Sequence, residues 1–177
     1  MKIFAQMLIL VASFVTCAWS SAASIDIESL GSAEINNFRA PEADILSTGQ
    51  PTADQFQLMA TSGVKHVINL RTPGEDAGFD EKAAVESLGM TYHNIPVSVG
   101  DGGINTSNSE ALQALLDEFE DEGVVVHCAT GNRVGALISV SEFEDGSGID
   151  NSITEGVRWG MTSERLQQVV RENLSSK

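Results

Sequence analysis

After residue 40, short apolar or β-branched runs alternate with longer stretches that carry helical periodicity. Strands are predicted where β-branched and apolar residues cluster over a few positions. The predicted strands cover residues 44–48, 65–71, 90–97 and 124–126. Helices are predicted where apolar residues recur every three or four positions between capping and stop signals. The predicted helices cover residues 52–59, 80–88 and 107–121, and further helices begin near residues 134, 152 and 163.

This alternation of strands and helices predicts the fold class. It favours an α/β domain with a mostly parallel central sheet of about four to five strands and helices on both faces. The run Val124-Val125-Val126 is apolar on both faces, which is typical of a central strand. In parallel sheets ligands bind beyond the carboxyl ends of the strands. Arg71, the loop around Asp101 and the pair His127-Cys128 all follow such strand ends, so we expect a site there.

The chain is expected to comprise three parts. Residues 1–23 resemble a cleaved signal peptide, because Lys2 precedes an apolar core and small residues follow at positions 20–23. An uncleaved membrane anchor is the alternative. Residues 24–40 are polar and weakly patterned, and we interpret them as a lead-in segment to a domain that covers residues 41–177. A cleaved leader predicts a periplasmic or secreted protein.

Charge and cysteine content narrow the classes of partner. The chain has 25 Asp and Glu against 10 Lys and Arg, a formal net charge of −15. Such a field repels nucleic acid and anionic membranes, so we expect neither nucleic acid nor stable membrane contact after cleavage, and we expect a monomer. Cleavage removes Cys17 and leaves Cys128 as the one thiol. That thiol is either buried and inert or kept for its reactivity.

The loop from Cys128 to Arg133 carries the chemistry. Successive backbone amides of Ala129, Thr130, Gly131 and Asn132 can form an anion nest at the start of the next helix. Gly131 permits a turn that a side chain would obstruct. Arg133 can bind two oxygens of a phosphate or sulfate, and the same positive field favours a nucleophilic thiolate at Cys128. The loop is therefore predicted to bind an oxyanion and to direct a thiolate at its centre.

These residues resemble a known signature, His-Cys-x-x-Gly-x-x-Arg, of cysteine-dependent protein-tyrosine and dual-specificity phosphatases. The chain is more similar still to the bacterial phosphatase-like family named with beta-lactamase-hydrolase-like proteins. The other matching segments are residues 47–52, 67–71, 95–97 and 160–162. The resemblance implies a cysteine-phosphatase fold and hydrolysis of a phosphomonoester, on a small molecule or a phosphoprotein, through a phosphocysteine.

The resemblance also implies roles for individual residues. Cys128 would be the nucleophile and Arg133 the phosphate clamp, while Asp101 would be the general acid. Glu75, Asp76 and Asp80 compete with Asp101 for that last role. His127 is expected to orient the loop and tune the thiolate. Arg71 either binds the substrate anion or forms an ion pair. No cofactor is implied, and no His or Cys spacing indicates a metal site.

Two departures from the signature leave alternatives open. Four residues, 129–132, separate Cys128 from Arg133, which is one fewer than in the signature. Val134 stands where these phosphatases usually have Ser or Thr. A rhodanese-like sulfurtransferase that uses a Cys128 persulfide and a non-catalytic oxyanion-binding module are therefore the alternative functions.

Overall fold

The computed structural model describes residues 24–176. Its strands are β1 (Ile45–Thr48), β2 (His66–Asn69), β3 (Thr91–Asn94) and β4 (Val124–His127). Its helices are α1 (Ile27–Gly31), α2 (Ala53–Thr61), α3 (Glu81–Ser87), α4 (Thr106–Glu118), α5 (Asn132–Glu144), α6 (Ile149–Arg158) and α7 (Glu164–Ser175). The predicted leader, residues 1–23, lies outside the described residues. Within residues 24–176 no helix is both long enough and apolar enough to cross a bilayer.

The strands form one parallel sheet in the order β1-β4-β2-β3. All residues of β2 and β4 are buried, because both faces of these two inner strands are covered. The prediction of an α/β fold with a central fourth strand is confirmed. The third strand ends at Asn94, earlier than predicted, and Pro96 has no N–H with which to extend a ladder.

Two hydrophobic cores lie on opposite faces of the sheet. Val124 and Val126 of β4 point into one core, and Val125 points into the other, as the alternation of a strand requires. The first core is closed by α4, α5, α6 and α7, and the second by α1, α2 and α3. The predicted placement of helices on both faces is therefore observed.

The segment 24–40 is packed against the domain. It contains α1, and its side chains Ile25, Leu30 and Ile35 are buried in the second core. Arg39 pairs with Ser47 of β1 through backbone hydrogen bonds of 2.8 and 3.0 Å. The apolar residues of this segment are few and irregularly spaced, so the sequence pattern did not predict that packing.

Candidate active site

The loop 128–133 connects the carboxyl end of β4 to α5. Gly131 is the N-cap of α5 and has a φ of 80°, a left-handed conformation that favours glycine. A Cβ atom at Gly131 would lie 2.5 Å from the side-chain nitrogen of Asn37, so a side chain at this position would displace that amide. The chain therefore turns sharply after Cys128 and enters a helix that begins one residue before Arg133.

Cys128 lies at the bottom of this turn. Its side chain is buried, and the Gly131 N–H donates a hydrogen bond to its sulfur over 3.1 Å. The N-terminus of α5, a helix of 13 residues, directs its positive end toward the same loop. An amide donor and a helix N-terminus both stabilise negative charge on sulfur. Cys128 is thus a buried thiol that accepts an amide hydrogen bond at the start of a helix.

The loop amides point inward. The Gln50 N–H donates to the Ala129 carbonyl over 3.2 Å, and the Asn37 side chain donates to the Thr130 carbonyl over 2.8 Å. In a trans peptide the N–H points away from the carbonyl of the same unit. The amides of Thr130 and Gly131 therefore point away from these outer donors, and the Gly131 N–H reaches the Cys128 sulfur, as in one part of an anion nest.

Arg133 is fixed beside Cys128 by a carboxylate that follows β2. Its Nη1 and Nη2 each donate to one oxygen of Glu75 over 2.6 Å, and Nη1 also donates to the Val97 carbonyl over 2.9 Å. The hydrogen bond from Arg133 lowers the pKa of Glu75 to about 2, although burial acts in the opposite direction. Burial also opposes ionisation of Arg133, but Glu75 and Cys128 together raise the pKa of that guanidinium.

His127 is buried and contacts a second carboxylate. Its Nε2 lies 3.1 Å from Glu81, which also accepts hydrogen bonds from Gln50 at 2.6 Å and Asn69 at 2.8 Å. Burial alone would raise the pKa of Glu81, but the hydrogen bond with His127 and the other nearby donors lower it. The residue before Cys128 is thus held by a polar network that joins β2, β4, α3 and the loop after β1.

Arg71 is engaged by protein groups. Its guanidinium donates to the Asp76 carbonyl over 2.7 Å and to the Gln50 side chain, and its Nε lies 3.6 Å from Glu75. Only 7% of the residue is exposed. These contacts agree with the ion-pair alternative, and substrate binding by Arg71 stays a prediction.

Asp101 lies in the exposed loop between β3 and α4. Its carboxylate accepts a hydrogen bond from the Ser98 hydroxyl over 2.8 Å. Among the competing acids, Glu75 is paired with Arg133, the Asp76 side chain accepts from the Gly78 N–H at 2.7 Å, and Asp80 caps α3. The loop that carries Asp101 follows Val97, whose carbonyl contacts Arg133, so it begins at the site.

The structure brings together the predicted Cys128, Gly131, Arg133 and His127. Sequence reasoning missed the partners that hold them. Glu75 was considered only as a competing acid, and Glu81 follows Asp80 in what reads as an ordinary acidic first turn of a helix. Asn37 stands in the weakly patterned segment. Within residues 24–176 no group of three or more His, Cys, Asp or Glu side chains could hold a metal ion.

The similar sequences among known proteins carry one name, Beta-lactamase hydrolase-like protein. The Beta-lactamase hydrolase-like protein of Xylella fastidiosa strain Temecula1 is 37% identical over 103 residues, which are 56% of this chain and 23% of that protein. Its namesake in Agrobacterium fabrum strain C58 is 35% identical over 102 residues, again 23% of its length. This chain thus spans less than a quarter of the length of these relatives.

Solved structures show the same fold. A candidate phosphatase (DUF442) from Shewanella putrefaciens CN-32 is 25% identical, with a TM-score of 0.62 over 85% of this chain and 97% of that one. A candidate phosphatase from Neisseria meningitidis Z2491 has a TM-score of 0.64 at 22% identity, over 78% of this chain and 98% of that one. TpbA of P. aeruginosa has a TM-score of 0.57 at 17% identity, over 80% of this chain and 88% of that one.

Residues 43–144 match the family described as a polymorphic toxin system, DSP-PTPase phosphatase. That match covers β1 to α5 and includes the Cys128 loop, Glu75, Glu81 and Asp101. The chain therefore belongs to the DSP-PTPase phosphatase family of polymorphic toxin systems and has the fold of a cysteine-dependent phosphatase.

Proposed function

We propose that the chain hydrolyses a phosphomonoester through a covalent phosphocysteine. The observation that carries this proposal is the Gly131 N–H, which lies 3.1 Å from the Cys128 sulfur in a loop that also presents Arg133. A thiolate at the base of an amide nest is the arrangement that both binds a phosphate and attacks its phosphorus.

In the first step the Cys128 thiolate attacks phosphorus, the sulfur–phosphorus bond forms, and the bond from phosphorus to the leaving oxygen breaks. The loop amides and Arg133 stabilise the phosphoryl oxygens, because their positions are fixed before the substrate arrives. Glu75 supports this role, since two 2.6 Å hydrogen bonds hold the guanidinium in one orientation. In this proposal catalysis depends on these positive groups being fixed in advance.

Asp101 is proposed to protonate the leaving oxygen in that first step. Glu75 is a poor candidate, because its pKa of about 2 keeps it ionised at neutral pH. Asp80 and Glu81 are occupied by a helix cap and by the His127 network. Gly100 and Gly102 flank Asp101, and nothing lies within 4 Å of a Cβ atom built at either glycine, so this part of the loop has space to move toward a bound substrate.

In the second step water attacks phosphorus, the Asp101 carboxylate takes up the proton of that water, and the thiolate leaves as the sulfur–phosphorus bond breaks. Phosphatases of this type usually place a hydroxyl after the arginine to assist that departure. Val134 stands in this place and is buried in the first core. We therefore expect the second step to be slow and the phosphocysteine to accumulate.

Sulfur transfer is the second candidate, and the short loop with Val134 favours it. In that reaction the Cys128 thiolate takes the outer sulfur of thiosulfate, releases sulfite and becomes a persulfide. Cyanide then removes that sulfur as thiocyanate and restores the thiolate. Neither step needs the hydroxyl after Arg133 or a general acid at Asp101.

One set of assays on the same preparation separates the candidates. We expect hydrolysis of an aryl phosphate, loss of that activity in Cys128→Ser, and no thiocyanate from thiosulfate and cyanide. In Asp101→Asn, hydrolysis should slow by about 100-fold for a poor leaving group and much less for a good one. Thiocyanate formation without hydrolysis would favour sulfur transfer, and phosphate binding without either activity would indicate a binding module.

We also propose that the domain acts outside the cytoplasm on a phosphorylated small molecule or a phosphoprotein. The leader-like pattern of residues 1–23 supports export, and its cleavage would remove Cys17 and leave Cys128 with no second cysteine for a disulfide. Fractionation of cells that express the full chain tests this proposal. Recovery of the shortened protein in the periplasm or the medium is expected, and recovery of the uncut chain in the cytoplasm would contradict it.

A further inference from the structure

Asn37 joins three parts of the chain at the Cys128 loop. It lies before β1, and its side-chain amide donates to the Thr130 carbonyl and to the Gly160 carbonyl, each over 2.8 Å. Thr130 belongs to the Cys128 loop, and Gly160 to the turn between α6 and α7. The two hydrogens of this amide group therefore connect the segment before β1 both to the Cys128 loop and to the turn between α6 and α7.

The contact with Thr130 acts on the same peptide group that reaches the thiol. The Thr130 carbonyl and the Gly131 N–H belong to one planar unit and point in opposite directions. Asn37 binds the oxygen end of this unit, and the nitrogen end donates to the Cys128 sulfur over 3.1 Å. A rotation of the unit would break both hydrogen bonds together.

Two glycines lie next to this amide, and a side chain at either of them would crowd it. A Cβ atom at Gly131 would lie 2.5 Å from the Asn37 nitrogen, and one at Gly160 would lie 3.1 Å from it. Asn37 itself has a φ of 49°, in the left-handed region that Asn tolerates better than most residues. The backbone conformation of Asn37 and the two neighbouring glycines thus suit the hydrogen bonds of its amide with the Thr130 and Gly160 carbonyls.

We infer that Asn37 is a positioning residue that holds the Gly131 amide in line with the Cys128 sulfur and so stabilises the thiolate. This inference rests on the proposed function, because it assigns a purpose to the thiolate. Asn37 and Gly160 both lie outside residues 43–144, so the match to the family does not include this contact. The segment before β1 is accordingly part of the active-site structure.

The test compares the pH profile of Cys128 alkylation in the full chain and its variants. Asn37→Gly keeps the left-handed backbone and removes the amide, and Asn37→Asp keeps the shape but replaces a donor with an acceptor. Iodoacetamide labelling is followed on the peptide that contains Cys128. Both variants should move the profile to higher pH, and the rate at the wild-type half-maximal pH should fall about fivefold because a charge-assisted hydrogen bond is weakened.

Glu34→Gly is the matched control, since Glu34 lies in the same segment, is exposed and has a φ of 51°. It should leave the profile unchanged. Thermal melts identify any variant that does not fold. If one of the two Asn37 variants does not fold, the pH profile of the other one tests the inference. An unchanged profile in a folded Asn37 variant would overturn the inference while leaving a reactive wild-type thiol, and the proposed function, intact. A wild-type thiol no more reactive than in the unfolded chain would overturn both.

Discussion

At the scale of single residues, the site depends on a carboxylate that does no chemistry itself. Glu75 fixes the guanidinium of Arg133 through two hydrogen bonds and accepts a third from the Thr72 backbone over 2.8 Å. An arginine that must bind phosphate in one orientation loses less entropy on binding if the protein already holds it. In the proposed mechanism the ion pair would thus orient Arg133 before the substrate arrives.

We predict that Glu75→Gln lowers the free energy of unfolding by about 2 kcal/mol at neutral pH, after allowance for its partial exposure. The folded-state pKa of Glu75, about 2, lies below its usual 4.5, so the stabilisation is complete above pH 4.5 and is lost as the pH falls through 2. Urea unfolding of both proteins over this pH range measures the difference, which should shrink as acid is added.

Glu86→Gln serves as the control for that prediction. Glu86 pairs with Lys82 over 3.8 Å on an exposed helix surface, and both side chains are more than half exposed. Its replacement should change the free energy of unfolding by less than about 0.5 kcal/mol. A difference between Glu75→Gln and wild type that does not vary with pH would contradict the assigned ion pair.

At the scale of elements, α5 is held in place by its crossing with α6. A Cβ atom at Gly156 of α6 would lie 2.0 Å from the Ser139 hydroxyl and 2.4 Å from the Gly135 carbonyl, both on α5. The two helices therefore approach through glycines. Because α5 also carries Arg133 at its start, this close contact helps to set the position of Arg133.

We predict that Gly156→Ala destabilises the protein by about 3 kcal/mol, because the methyl group would force the two backbones apart. Gly100→Ala is the control, since nothing lies within 4 Å of its added Cβ and its backbone is not left-handed. The control should change the free energy of unfolding by less than about 0.5 kcal/mol in the same urea titration. Equal stabilities for the two variants would show that the crossing tolerates more separation than proposed.

The sequence predicted those features that are determined by residues close together in the chain. The strand–helix order, the central Val124-Val125-Val126 and the loop from Cys128 to Arg133 follow from local patterns, and the structure places them as expected. The pairing of Glu75 with Arg133 and the contact of Asn37 with Thr130 join residues far apart in the chain. Such contacts arise only when the sheet order is set, so no local pattern reveals them.

At the scale of the whole molecule, the net charge of −15 opposes the approach of an anionic substrate. The attraction of the Cys128 loop acts over a few ångströms, whereas the repulsion of the acidic surface extends across a Debye length. We predict that kcat/KM for an aryl phosphate rises about twofold as ionic strength increases from ~10 to ~150 mM.

Alkylation of Cys128 by uncharged iodoacetamide is the control for this effect, and its rate should vary little with salt. A fall in kcat/KM with added salt would contradict the prediction. That result would mean that the positive field of the site dominates at long range despite the acidic surface.

The central claim is that Cys128 takes up the phosphoryl group. Its most direct test is an acid quench of the full chain during turnover of an aryl phosphate, followed by mass spectrometry of the peptide that contains Cys128. We predict a phosphoryl adduct on Cys128 that accumulates in the steady state, because Val134 supplies no hydroxyl for its breakdown. Turnover without an adduct, or an adduct on another residue, would contradict the claim.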